Sequence, residues 1–255
     1  MISKPYSDNL SLNNKVAVIT GAGSGIGYAT AQLFAEKGAF VYLLDLNTKA
    51  IEKASTEIPN AHPYTLNVSD YEQVLKAVDE IAVEAGHIDI LVHCAGVGDI
   101  EWAKDMSDKT WDKVIQINLN GSFYITQAVG KKMIAENNGG KIICMASQAG
   151  IVAIDKHVAY SASKAGIISM CKSLAYEWGR YGIQVNAISP TATETPIIVG
   201  YWDVGEVHET AIANTPAGRF CKPEEIAAAC FFLATDSANM ITGANLVIDG
   251  GYTIH

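Results

Sequence analysis

Tyr160 and Lys164 stand four residues apart, inside a pattern from Ala159 to Tyr181 that reads as one long helix. Residues at that spacing share a helix face. An ammonium beside a phenol stabilises the phenolate and lowers its pKa from the ordinary value of about 10. Such a pair is a base able to take a proton from an alcohol near neutral pH. The spacing alone is weak, since the chain has eleven tyrosines. Ser147 follows a predicted strand, Lys141 to Met145, at the end where α/β sheets bind ligands. Its hydroxyl could hold a carbonyl or alkoxide oxygen. Asn118 falls inside a predicted helix from Ser107 to Glu136, an uncomfortable place for asparagine. A solvent-facing or back-bonded amide is the plain alternative there.

A second group of residues suits a dinucleotide. The predicted strand Val16 to Thr20 runs into Gly21-Ala-Gly-Ser24-Gly25-Ile26-Gly27. Glycines allow a tight turn and close approach of backbone to a pyrophosphate, and the following helix offers free N–H groups and a positive dipole end. The spacing is G-x-x-x-G-x-G, because Ile26 occupies the third glycine position of G-x-G-x-x-G. Asp45 ends the next predicted strand, Phe40 to Asp45, 18 residues after Gly27. A carboxylate there accepts from both ribose hydroxyls and repels a 2′-phosphate. No lysine or arginine lies between Asp45 and Thr48. NAD(H) is therefore expected over NADP(H).

These residues need elements to carry them. Further strands are expected at Pro63 to Asn67, Ile88 to His93, Ile183 to Ile188 and Leu246 to Asp249. Helices are expected at Thr48 to Glu57, from the cap Asp70 to about Ala85, and from Pro223 to near Ala234. Apolar strands alternating with helices imply a parallel sheet covered on both faces. The expected fold is α/β: a single-domain, doubly wound Rossmann fold with a seven-stranded parallel sheet and helices on both faces. Ser189 to Phe220 reads as the one long loop-rich insertion, a candidate substrate lid.

Composition sets outer limits. The chain has 255 residues and 49% hydrophobic content, enough for a large core and too apolar for disorder. Its formal charge of −9 argues against nucleic acid or an anionic membrane as the main partner. No segment has the roughly 18 apolar residues of a membrane helix. Met1 to Asn14 is polar and lacks an apolar signal region. Five scattered cysteines, none in C-x-x-C spacing, read as free thiols of a reducing compartment, so a cytoplasmic location is expected. No metal site is expected.

In order along the chain, these motifs resemble the short-chain dehydrogenase/reductase family, from about Leu12 to Tyr252. The family's T-G-x-x-x-G-x-G is matched by Thr20 to Gly27, its serine by Ser147, its Tyr-x-x-x-Lys by Tyr160 and Lys164, and its helix asparagine by Asn118. Its Pro-x-x-x-x-Thr is matched by Pro190 and Thr195, the threonine being the residue that holds the nicotinamide carboxamide. Pro216-Ala-Gly-Arg219-Phe220, Pro223-Glu-Glu-Ile226-Ala and Asp249-Gly250-Gly251 are further matches. The resemblance implies a hydride-transfer site: Tyr160 exchanges the proton, Lys164 lowers its pKa and holds the nicotinamide ribose, and Ser147 orients the substrate oxygen. Asn118 would hold a water through its backbone. Asn67 and Val68 would meet the adenine, with Ala95 and Gly96 against the cofactor. The resemblance also implies a homotetramer built partly through the two long helices.

There are departures. The family's Asn-Asn-Ala-Gly is His93-Cys94-Ala95-Gly96 here, which puts some sheet hydrogen bonding in doubt. Thr191 replaces the glycine that usually follows the proline. That threonine, Gln148 after Ser147, His157 before Tyr160 and Trp202 in the lid resemble the polyol dehydrogenase and xylulose reductase subgroup. An amide, an imidazole and an indole N–H can satisfy several hydroxyls. From Thr191 to Gly218 there are four acids and no lysine or arginine. That favours a small neutral polyol or ketose over an acidic acyl carrier. A 3-oxoacyl-thioester reductase is the enzymatic alternative. A dinucleotide-binding sensor or scaffold without turnover is the non-enzymatic one.

Overall fold

A computed structural model describes residues 10–254. Most of the polar start expected over Met1 to Asn14 lies outside them. The strands are β1 (Val16–Thr20), β2 (Phe40–Asp45), β3 (Ala61–Thr65), β4 (Ile90–His93), β5 (Gly140–Met145), β6 (Ile183–Pro190) and β7 (Asn245–Ile248). They form one parallel sheet in the order β3-β2-β1-β4-β5-β6-β7. The helices are α1 (Gly25–Glu36), α2 (Thr48–Glu57), α3 (Tyr71–Ala85), α4 (Asp108–Val114), α5 (Gly121–Glu136), α6 (Val158–Trp178), α7 (Gly205–Ala213) and α8 (Pro223–Ala234).

Alternation along each strand feeds two separate cores. On one face Val16, Val18 and Leu91 pack with Ile125 and Ile167 of α5 and α6. On the other, Ala17, Ile19 and Val92 pack with Phe34 and Ile226 of α1 and α8. Burying a side chain such as Phe34 completely stabilises the fold by about 1.5–3 kcal/mol. The chain order reverses between β1 and β4, which opens a crevice beyond their carboxyl ends.

Several expected elements differ: β4 starts at Ile90 and not Ile88, β7 runs one residue earlier than expected, and α6 ends at Trp178 in place of Tyr181. The third strand covers Ala61–Thr65, two residues earlier than expected, because pairing starts where Val41 N–H donates to Asn60. It is an edge strand, where the missing N–H of Pro63 is tolerated. The long helix expected over Ser107 to Glu136 is broken in register by a π-helical stretch, Ile115–Asn120. The stretch expected as loop from Ser189 contains the end of β6, a short 3₁₀ turn at Pro196–Ile198, and α7.

That excursion has a core and a stem of its own. Ile198, Ala211 and Phe220 cluster with Trp202 and Ile212. At its base Cys221 N–H donates to Ala192 and Glu194 N–H donates to Cys221. Arg219 and Glu225 close the stem with two hydrogen bonds of 2.8 and 2.6 Å. The matched C-terminal motif has a mechanical reason. Gly250 and Gly251 take φ of +61° and +91°, and Ala217 N–H donates to Gly250. A Cβ on either glycine would meet Ala217 or Pro216 at under 3 Å, so the turn cradles the excursion's return.

Candidate active site

The crevice holds a cavity of about 440 Å³ that reaches from Asp45 to the excursion. Its floor at one end is the glycine loop. A Cβ on Gly21 would sit 2.9 Å from the Ala95 nitrogen, and one on Gly27 would overlap the Gly21 carbonyl oxygen at 2.3 Å. Only glycine lets these backbones touch. No side chain caps the N-terminus of α1, and its first turn has no acid, so its N–H groups and dipole remain for a phosphate. Ser24, Gly25 and Ile26 line the cavity here.

Asp45 faces the same loop. Its Oδ2 accepts from Gly23 N–H at 3.1 Å and its Oδ1 from Asn47 N–H at 2.9 Å. These bonds fix the carboxylate and leave acceptor sites on both oxygens, since an ionised carboxylate offers about four. Asn67 and Val68 also line the cavity. The Asn67 Oδ1 accepts from Ser69 N–H at 3.1 Å and Ser69 Oγ at 2.7 Å. These two bonds close a local turn at Asn67.

Between these ends, the Thr20 hydroxyl accepts from Cys94 N–H and Ala95 N–H, both at 3.2 Å. Its own hydrogen must then go to His93 Nδ1, 2.7 Å away. His93 is thus a neutral ring with its proton on Nε2, and burial lowers its pKa to about 3. The sheet hydrogen bonding that Cys94 put in doubt is supplied by Thr20. This clamp places Ala95 and Gly96 on the cavity wall. The sequence shows a threonine ending the first strand, but its pairing with His93 is set by the strand register.

Tyr160 and Lys164 project from α6 into the cavity, with Lys164 Nζ 5.5 Å from the Tyr160 ring centroid. The ammonium donates to the Met145 carbonyl at 2.7 Å, and burial lowers its pKa to about 8. Ser147 is the second residue after the β5 end, and its hydroxyl is hydrogen-bonded to Tyr160. Burial raises the tyrosine's pKa, while that bond lowers it. The lowering expected from Lys164 is not the prevailing influence in this arrangement, where desolvation of the phenol is the largest cause.

Asn118 does not line the cavity. It is fully buried in the π-helical stretch, where its Oδ1 accepts from Val97 N–H at 2.8 Å and its Nδ2 donates to the Val97 carbonyl at 3.0 Å. Nδ2 also reaches Ser163 Oγ at 3.3 Å, and Ser163 donates to the Tyr160 carbonyl. The amide therefore ties the 97 loop to α6. Its backbone carbonyl accepts from the Ser122 hydroxyl. A π segment is a common device at functional sites, because its wider turn re-aims side chains and carbonyls.

The far end of the cavity is polar below and aromatic above. Gln148 is 3% exposed and its Oε1 has no hydrogen-bond partner, an orphaned acceptor in the cavity wall. His157 Nδ1 lies against the Asp155 carbonyl and so carries a proton, which makes Nε2 an acceptor in the neutral ring. Its ring centroid is 5.9 Å from Tyr160, 6.0 Å from Tyr201 and 5.6 Å from Trp202. Pro190, Thr191 and Thr195 close the side next to the glycine loop, with Thr195 methyl against Gly25. Tyr201, Ile154 and Ile197 complete the wall and were not singled out by sequence. Among the described residues, no three His, Cys, Asp or Glu side chains come together as a metal site, and no helix is long and apolar enough to cross a membrane. The five cysteines are free.

Known proteins share this architecture. The family model described as enoyl-(acyl carrier protein) reductase matches residues 21–253. An NAD-dependent glycerol dehydrogenase of Listeria innocua is 48% identical over 255 residues, all of both chains. A D-threitol dehydrogenase of Mycolicibacterium smegmatis is 48% identical over 95% of this chain and 94% of its own. A 3-oxoacyl-(acyl-carrier-protein) reductase of Thermotoga maritima is 40% identical over 96% of this chain and 100% of its own.

Proposed function

The chain belongs to the short-chain dehydrogenase/reductase family, and from that premise we propose that it interconverts a small neutral polyol and its ketose with NAD(H). The observation that carries the substrate class is Gln148, a buried residue of the cavity wall next to Ser147 whose Oε1 has no hydrogen-bond partner, on the wall that His157 shares. A buried acceptor without a partner costs about 1–3 kcal/mol, which a ligand hydroxyl donating to it would recover. His157 Nε2 is a second acceptor suited to a neighbouring hydroxyl. Substrates lacking those hydroxyls leave both groups unpaired, which is how such sites discriminate.

The residues fit a nicotinamide dinucleotide. The glycine loop and α1 would hold the pyrophosphate, Asp45 the adenosine ribose, and Lys164 the nicotinamide ribose, with Thr195 at the carboxamide. Bound there, the nicotinamide supplies the acceptor or donor of hydride. Tyr160 takes the alcohol proton on its phenolate oxygen and returns it in the reverse direction. Ser147 hydrogen-bonds the substrate oxygen and the tyrosine together. Lys164 holds its positive charge near the phenolate through its anchor on Met145. Asn118 keeps the 97 loop and α6 in register. Asp45 also sets the preference for NAD(H), since its fixed carboxylate repels a 2′-phosphate.

The lid's four acids and lack of lysine or arginine support a neutral substrate over an acidic carrier. Thioester reduction remains the second reading because of the likeness to the acyl-carrier reductase. Exposed Trp111 and Phe123 on α4 and α5, with exposed Tyr176 on α6, support assembly of a homotetramer partly through the two long helical stretches. Free thiols support a cytoplasmic setting.

One screen tests the reading. Three- to six-carbon polyols and ketoses are assayed with NAD(H) and with NADP(H), beside an acetoacetyl thioester. Polyol oxidation with NAD is expected. Turnover of the thioester alone would overturn the substrate class, and a clear NADP preference would overturn the role of Asp45.

A further inference from the structure

Lys156 sits outside the cavity, yet it joins three segments that build it. Its ammonium lies 5.4 Å from the ring centroid of Trp102 and 5.4 Å from that of Tyr201. Its carbonyl accepts from Glu101 N–H at 3.0 Å. Its backbone takes φ of +65°, a left-handed conformation that is unfavourable for a lysine. The next residue is His157, whose ring touches Tyr160, Tyr201 and Trp202.

We propose that Lys156 is a positioning residue, a cationic latch that holds the aromatic wall of the lid closed over the substrate. The Glu101 bond ties the 101 loop to the turn and the His157 ring ties the turn to the lid, while the Lys156 ammonium reaches both Trp102 of the loop and Tyr201 of the lid. The 101 loop carries Trp102 as an exposed ring, the lid carries Tyr201, and the turn before α6 carries Lys156 itself. An ammonium between two π faces is attracted to both. Tyr201 so held packs edge-on against Trp202 at 5.4 Å, and both rings flank His157. The left-handed turn is what aims the lysine outward between the rings while His157 points inward. Strain of this kind persists where the surroundings over-determine it, and the two ring contacts with the Glu101 bond do so here.

The proposal rests on the polyol reading only for its kinetic arm. Lys156→Met removes the charge and keeps the chain length. With NAD saturating, the KM for the best polyol of the screen should rise roughly three- to tenfold, with kcat changing by less than about twofold. NADH binding should be unchanged. Lys156→Arg should restore the wild-type KM, since a guanidinium also stacks on rings. Lys156→Gly separates latch from strain: it relieves the backbone but should raise KM as the methionine does.

The second arm needs no turnover. A glutamate-specific protease can cut the lid at Glu206 and Glu209 when it opens. Lys156→Met and Lys156→Gly should be cut several-fold faster than wild type and Lys156→Arg at the wild-type rate. If Lys156→Met does not fold, Tyr201→Leu should speed the same cleavage. Wild-type cleavage rates in Met and Gly, or no rescue by Arg, would overturn the latch. If no polyol is oxidised, the substrate reading fails while the cleavage arm still decides.

Discussion

Tyr160 is pulled in two directions before any substrate arrives. Burial raises its pKa, and the hydrogen bond from Ser147 lowers it. Oxidation of an alcohol needs the phenolate, so its rate should climb as pH rises through the tyrosine's pKa. Removing the Ser147 hydroxyl removes the lowering influence, so the pKa rises and the climb moves to higher pH. Ser147→Ala is expected to cost about 10²-fold in kcat/KM at neutral pH and to displace the oxidation profile upward. A pH–rate series checks this, and a profile left in place would remove Ser147 from the proton's control. Tyr160→Phe is the sharper test. It should lower kcat by about 10²–10⁴-fold while NADH still binds by fluorescence titration. Unchanged turnover would remove Tyr160 from the proton transfer.

At the scale of elements, the first βα turn is the least tolerant. A Cβ on Gly27 would stand 2.3 Å from a backbone oxygen of the same loop, so the loop itself must move. Gly27→Ala should destabilise the protein by about 1–3 kcal/mol and weaken NADH binding. Thermal unfolding with and without NADH measures both, and an unshifted NADH affinity would show that the loop does not hold the pyrophosphate. The helix carrying Asn118 makes a different point. Its period reads as one helix, but the π stretch places a buried amide where it bonds both groups of Val97. The mid-helix asparagine was legible as discomfort; the direction of its relief was not, because hydropathy cannot report a shift of hydrogen-bond register.

For the whole molecule, the exposed apolar residues matter. Trp111 on α4 and Phe123 on α5 are each 40% exposed. A homotetramer should cover them, and sedimentation should find an assembly several chains in mass. Phe123→Asp should shift it toward smaller species by burying an unpaired charge at the interface. A monomeric wild type would refute that assembly.

The sequence by itself determined the sheet, its alternation with helices and the chemistry-bearing groups, because period, glycine spacing and side-chain type are local properties. The boundaries of α8 and β2 can be read from Pro223 and from an apolar run ending at Asp45. What only the tertiary structure decided is how distant segments meet. Asn67 spends its oxygen on Ser69, Thr20 orders the Cys94 backbone, and Lys156 reaches two rings from separate loops. Each depends on which backbone comes within hydrogen-bond or van der Waals reach after the sheet has closed, and no spacing along the chain encodes that distance.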